Sequence, residues 1–142
     1  MIRFLPVVFL LFLFSSLKLV AQYCEITVTG LRNDNGEVRL YLFRNSDGFP
    51  EELEKSAIAT TSKITNNKAT VSLPASFGTY AITFMHDENL DGEMQYSWLG
   101  MPSEGFGFSN NPKVRMRAPN FEECSFVVRE SGCSVTIDTK YY

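Results

Sequence analysis

The feature that most constrains this chain is a recurring alternation of apolar and polar residues with period two. No stretch of ten or more residues carries a helical repeat. Cys24 to Leu31 reads as a first strand. Glu37 to Phe43 reads as a second, with Val38, Leu40 and Leu42 on one face and Tyr41 and Phe43 on the other. Arg32-Asn33-Asp34-Asn35-Gly36 is a turn between them, rich in residues that accept positive φ, and predicts a hairpin. Arg44 to Ser56 is a polar connection, and Glu51, Glu52 and Glu54 after Pro50 suit one helical turn. Ala57 to Ile64 and Ala69 to Leu73 are short strands around Thr65-Asn66-Asn67-Lys68. Thr79 to His86 is the clearest strand. Tyr80, Ile82, Phe84 and His86 share one face and Ala81, Thr83 and Met85 the other, so both faces are apolar and the strand is central. Phe121 to Arg129 and Cys133 to Lys140 predict a closing hairpin. About seven short strands with regular turn signals predict one all-β domain, an immunoglobulin-like antiparallel two-sheet sandwich.

The first 21 residues stand apart from that pattern. Met1-Ile2-Arg3 is positively charged, Phe4 to Phe14 is nearly unbroken Leu, Phe and Val, and Ser15-Ser16 and a small residue, Ala21, follow. This is the layout of a secretory signal peptide, with cleavage expected after Ala21 and a mature domain over 22–142. The apolar run is well short of the roughly 20 residues that span a bilayer, which argues against a retained anchor. Lipid attachment at Cys24 needs a small residue before the cysteine, and Tyr23 stands there. The expected location is therefore secreted or periplasmic, with no membrane insertion after cleavage. Without Arg3 and Lys18, 11 basic side chains face 16 acidic ones, a net charge of −5. An acidic chain with no basic cluster is a poor match for nucleic acid.

Three cysteines, Cys24, Cys124 and Cys133, each continue an apolar phase and are expected to point inward. An odd number leaves at least one thiol without an intramolecular partner. All three as buried small hydrophobes is one reading. A Cys24–Cys124 or Cys24–Cys133 bridge tying down the first strand is the other. Cys124 with Cys133 fits the expected hairpin register poorly, and metal binding lacks any CxxC spacing.

From Asp87 to about Asn120 no period is sustained, and so long an irregular stretch inside a small domain is commonly functional. Its start, Asp87-x-Asn89-x-Asp91-Gly92, matches the opening half of a calcium loop. Asp87, Asn89 and Asp91 would ligate through side chains and Glu93 through its backbone carbonyl. The twelfth position is Trp98 where a bidentate Glu belongs, so Glu104 or another carboxylate would have to reach back. The alternative is that Asp and Asn make local turn hydrogen bonds without metal. Tyr96, Trp98, Phe106 and Phe108, with Glu104, form a candidate binding set for a protein or a glycan if the rings are exposed; folded inward they would give the loop its own core. His86, the lone histidine, stands beside Asp87, and with Glu88, Glu93 and Glu104 it is the candidate set for hydrolysis. No nucleophile motif accompanies it, so a hydrogen-bonded structural His86 is the plainer reading.

These segments carry a resemblance. Gly36 with Val38-x-Leu40-x-Leu42-Phe43, Gly48-Phe49, Gly78-Thr79-Tyr80-Ala81, His86-Asp87-Glu88-Asn89 with Asp91-Gly92, Gly100-x-Pro102-x-Glu104-Gly105-x-Gly107-Phe108-Ser109-Asn110, and Pro119-x-Phe121-Glu122 resemble the secreted bacterial domain-of-unknown-function family 2141 over nearly all of the mature chain. Met94 departs from the more polar residue common there. The resemblance implies a prealbumin-like (transthyretin or regulatory-domain) sandwich and no particular activity. Together these readings predict a non-catalytic exported module of the cell envelope that binds a protein or glycan through residues 87–110, with calcium as the candidate cofactor. A structural accessory domain with a self-packed loop is the alternative, and a hydrolase the third.

Overall fold

The computed structural model describes residues 22–114 and 116–142. The signal peptide expected over 1–21 lies outside them. Eight strands and two short helical turns follow in order among the described residues: β1 (Tyr23–Thr29), β2 (Glu37–Phe43), a 3-10 turn (Leu53–Lys55) in the connection where one helical turn was expected, β3 (Ile58–Lys63), β4 (Ala69–Pro74), β5 (Gly78–Asp87), β6 (Gly105–Phe108), α1 (Phe121–Cys124), β7 (Phe126–Val128) and β8 (Cys133–Asp138). They form two sheets, β4-β1-β8 and β3-β2-β5-β6, with β7 also pairing β5. The predicted all-β sandwich is thus the architecture found. Between the sheets lie Ile26 and Val28 of β1, Val38, Leu40 and Leu42 of β2, Tyr80, Ile82 and Phe84 of β5, and Ile137 of β8, all buried. Each such side chain contributes about 1.5–3 kcal/mol through the apolar area it removes from water.

The pairing corrects the sequence reading in three places. β1 and β2 are not a hairpin: β1 pairs β4 and β8, while β2 pairs β3 and β5 in the other sheet. The Arg32–Gly36 turn is a crossover between sheets. It is held by Asp34, whose two carboxylate oxygens accept the backbone N–H groups of Asn66 (2.9 Å) and Asn67 (2.6 Å). The closing hairpin is likewise divided. Arg129 and Gly132 bridge across the turn, but β7 joins β5 and β8 joins β1. Finally the sandwich is not wholly antiparallel, because β1 and β8 run parallel with Cys24 opposite Cys133.

That register places the disulfide. Cys24 and Cys133 are bonded and Cys124 is a buried free thiol, which decides between the readings left open above. Cys124 belongs to α1 and not to a strand. The predicted strand from Phe121 begins instead as one helical turn, because Asn120 accepts the Glu123 backbone N–H at 2.9 Å while the Glu123 carboxylate accepts the Asn120 N–H at 2.8 Å. This reciprocal capping box makes a local helix cheaper than continued extension.

β5 is central as predicted. One edge pairs β2; the other is shared by β6, along Thr83–His86, and β7, along Gly78–Tyr80. Ser109 splices the two. Its N–H donates to Ile82 O, and its hydroxyl accepts from Ile82 N (2.8 Å) and donates to Cys124 O (2.5 Å). A wholly buried serine thus completes the ladder where neither strand reaches.

Candidate functional site

The segment after β5 is less irregular than its sequence suggests, and most of its polar residues hold the fold. His86 ends the inward face of β5 and is fully buried. Its Nε2 lies 2.8 Å from Asn35 O and its Nδ1 2.9 Å from the Tyr141 hydroxyl. A carbonyl only accepts, so Nε2 donates to Asn35 O, while Nδ1 pairs with the Tyr141 hydroxyl. Tyr141 in turn accepts the Arg32 backbone N–H at 3.0 Å, and the Arg32 guanidinium lies 4.8 Å over its ring. Burial pushes the Tyr141 hydroxyl above its ordinary value. Both nitrogens of His86 are therefore occupied away from any open space, and Asp87 does not hold it as a base.

Of the other hydrolysis candidates, Glu93 is exposed and Glu88 and Glu104 are engaged. Glu88 forms a two-pronged pair with Arg32, at 2.6 and 3.0 Å, and that guanidinium holds its carboxyl below the usual range. Glu104, nearly buried, accepts the backbone N–H of Glu88 (3.1 Å) with one oxygen and that of Gln95 (3.3 Å) with the other. It fastens the loop's two ends and does not reach back as a twelfth-position ligand.

The calcium-loop candidates fall on one tight turn. Asp87, wholly buried, takes the Gly92 N–H (2.9 Å) and the Arg39 Nε (2.6 Å) on its Oδ2. Asn89 Oδ1 accepts from Asp91 N at 3.2 Å, Asp91 Oδ1 from Glu93 N at 2.9 Å, and Asp91 Oδ2 from Asn89 Nδ2 (2.8 Å) and Gln95 Nε2 (2.5 Å). These bonds hold Asp91 below the ordinary carboxylate range, led by the Glu93 backbone N–H. Among the described residues no group of three or more His, Cys, Asp or Glu side chains is placed to hold a metal ion. The turn-forming hydrogen bonds foreseen as the alternative are all present.

Phe106 and Phe108, candidates for an exposed binding set, are buried instead. The run Gly105-Phe106-Gly107-Phe108 is β6, and its own alternation explains the inversion. A Cβ on Gly107 would stand 2.5 Å from the Phe84 ring, and one on Gly105 2.6 Å from the Tyr141 ring, so the glycines let β6 lie against β8 and the C-terminal residues. The phenylalanines face the other way. With Phe43, Ala81, Phe121 and Cys124 they form a second, smaller core on the outer side of the five-stranded sheet. Phe49 meets Phe43, Phe108 and Phe121 edge-on, with centroids 5.4 to 6.4 Å apart.

Of the candidate aromatics, Trp98 and Tyr96 are the exposed ones. Residues 95–103 make a small hairpin, with Ser103 N donating to Gln95 O, Ser97 N to Met101 O, and Tyr96 bridging Pro102. Trp98 at its tip is 92 % exposed, and Tyr96, Leu99 and Met101 are exposed beside it. The hairpin forms one side of a groove of about 660 Å³ on the outer face of the five-stranded sheet. Phe106, Phe108 and Met85 line it together with Met94, Met101 and Met116. The chain has five methionines, and all but Met1 are in this groove. Sequence reasoning missed them. Their clustering within residues 85–116 was the available signal, hidden because isolated methionines read as ordinary core.

The class these observations define is a disulfide-linked two-sheet β-sandwich with an apolar groove on one outer face. The chain belongs to the bacterial family DUF2141, described as "Uncharacterized protein conserved in bacteria", whose model matches residues 26–136. No curated protein and no solved structure matches it.

Proposed function

We propose that the protein is a non-catalytic, exported module of the cell envelope that binds the apolar side chains of a protein partner in the methionine-lined groove, gripped by the Trp98 hairpin. The observation that carries this reading is the gathering of Met85, Met94, Met101 and Met116 on one groove, beside an exposed Trp98, Tyr96 and Leu99. Contiguous exposed apolar surface of this kind marks interaction sites. Thioether side chains adapt to differently shaped partners, and an exposed Trp supplies the anchor that dominates many interfaces. The four methionines and Phe106 and Phe108 of the lining support a protein partner, with the polar groups of Tyr41, Glu51, Thr83, Tyr96, Arg117 and Tyr142 among them. The disulfide suits an exported chain, where oxidising conditions preserve it. Against catalysis stand the sealed His86 and the engaged Glu88 and Glu104.

A photocrosslinking side chain in place of Trp98 tests the reading in the producing cell, with Thr70 on β4 of the opposite sheet as the control position. A discrete protein adduct at 98, absent at 70, is the expected result. Adducts of equal yield at both positions would remove the groove from the account. Glycan-array binding that disappears in Trp98→Ala would replace the protein partner by a sugar.

A further inference from the structure

We propose that the groove carries a modification site: a peroxide oxidises the Met116 and Met101 thioethers to sulfoxides, and the oxidised groove releases its partner until a sulfoxide reductase restores it. The release rests on the binding reading above; the modification itself does not. The carrying observation is where the methionines stand. All four that follow Met1 line this one groove, and none belongs to the core between the sheets. Their access to solvent is graded. Met116 is fully exposed, Met101 is 39 % exposed, Met94 is half-buried and Met85 is 3 % exposed. The other sulfur atoms are out of reach. Cys24 and Cys133 are spent in the disulfide, and Cys124 is buried, its thiol pushed up to about 12. Little thiolate is therefore on offer, and an oxidant meets the thioethers first.

The step is an oxygen transfer. The sulfur lone pair attacks one oxygen of hydrogen peroxide, an S–O bond forms as the O–O bond breaks, and the leaving hydroxide takes the proton of the transferred oxygen to become water. Sulfur loses two electrons and the peroxide gains them. The product is polar and chiral where the thioether was apolar. Sulfoxide oxygens at 101 and 116 would meet the apolar side chains of a seated partner and find no donor among them, so their desolvation opposes binding. The fold is spared, because both side chains lie outside the buried clusters while Met85 is sheltered. Access also permits the return. A methionine sulfoxide reductase reaches an exposed side chain without unfolding; the sulfoxide oxygen leaves as water and two reductase thiols close to a disulfide.

The test has two arms. Protein with its disulfide intact is treated with dilute hydrogen peroxide, and each methionine is followed by peptide mass spectrometry. Met116 is expected to gain oxygen first and Met101 next, with Met85 slower than Met116 by about tenfold or more. Equal rates at Met85 and Met116 would overturn the modification site. In the producing cell, the photocrosslinking side chain at position 98 reads the partner before and after peroxide. Adduct yield should fall by about fivefold once both thioethers are oxidised, and return when a methionine sulfoxide reductase is supplied. Met101→Leu with Met116→Leu, which keep apolar bulk and cannot be oxidised, should hold under peroxide whatever yield the untreated variant gives. An undiminished yield with both sulfoxides present, or an equal fall in the leucine variant, would overturn the switch. No adduct before peroxide would instead remove the partner reading, and the switch with it, leaving the order of oxidation to be decided by mass alone.

Discussion

The two faces of β5 face different surroundings. Tyr80, Ile82 and Phe84 point into a space closed by a second sheet, and all are buried against β1, β2 and β8 side chains. Ala81, Thr83 and Met85, one residue out of phase, point toward a discontinuous layer of α1, the turn with Phe49 and Leu53, Tyr142 and scattered side chains such as Met94, Val114 and Met116. Both faces read as apolar in sequence. The difference teaches that apolar alternation reports burial and not what does the burying. Where a full sheet covers the strand the result is a core; where an incomplete layer covers it the remainder is a groove.

Four measurements would sharpen or break this contrast. The largest effect belongs to the disulfide that joins β1 and β8 behind the inner face. Closing a loop with a sequence separation of 109 is worth about 4–5 kcal/mol on chain-entropy grounds. Cys24→Ala with Cys133→Ala should lower the urea-unfolding free energy by about that much, and a loss under 1 kcal/mol would show that strand pairing alone holds the first sheet. Next come matched truncations across β5. Ile82→Ala should cost about 3–4 kcal/mol and Met85→Ala about 2, because the groove lets the outer site relax. Equal costs in the same unfolding assay would mean the outer layer is as tightly packed as the inner. Trp98→Ala and Met116→Ala, both exposed, should change stability by less than about 0.5 kcal/mol. A larger loss would make the hairpin part of the fold and not a contact surface. The smallest effect is chemical. Burial pushes the Cys124 thiol up to about 12, so in the native state at pH 8 a thiol reagent should label nothing, and one thiol should appear on unfolding without reductant. Rapid native labelling would open the second core around it.

How much of this was legible follows the range of the forces. Turns and strand phases were, because they are local: Asn66 and Asn67 adopt φ of 53° and 59° where the sequence placed a turn, and β5 was recognisably central. Partner choice was not. β1 and β2 are neighbours in sequence with a plausible turn, yet they join different sheets. What divides them is Asp34 fastened to the Asn66–Asn67 turn, a contact across more than 30 residues. β6 was missed although Gly105-Phe106-Gly107-Phe108 alternates, since four residues with two glycines are too short to show a strand period, and the close approach of those glycines to Phe84 and Tyr141 depends on residues distant in sequence. The helical turn at Phe121 had a readable capping signal in Asn120 and Glu123. At the candidate site, local spacing found the Asp87–Glu93 turn and the exposed Trp98. It did not reveal that His86, Glu88 and Glu104 are used up internally, nor that the methionines share a wall.

The Cys24–Cys133 link gives the molecule a mechanical property. A pull applied through its two ends crosses a single covalent rivet, and the ring of chain between those residues carries no load. In oxidising surroundings the domain should therefore behave as an inextensible washer in any tether. Once the rivet is cut, the same tension could pay out a separation of 109 residues, up to about 380 Å of extended chain at roughly 3.5 Å per residue.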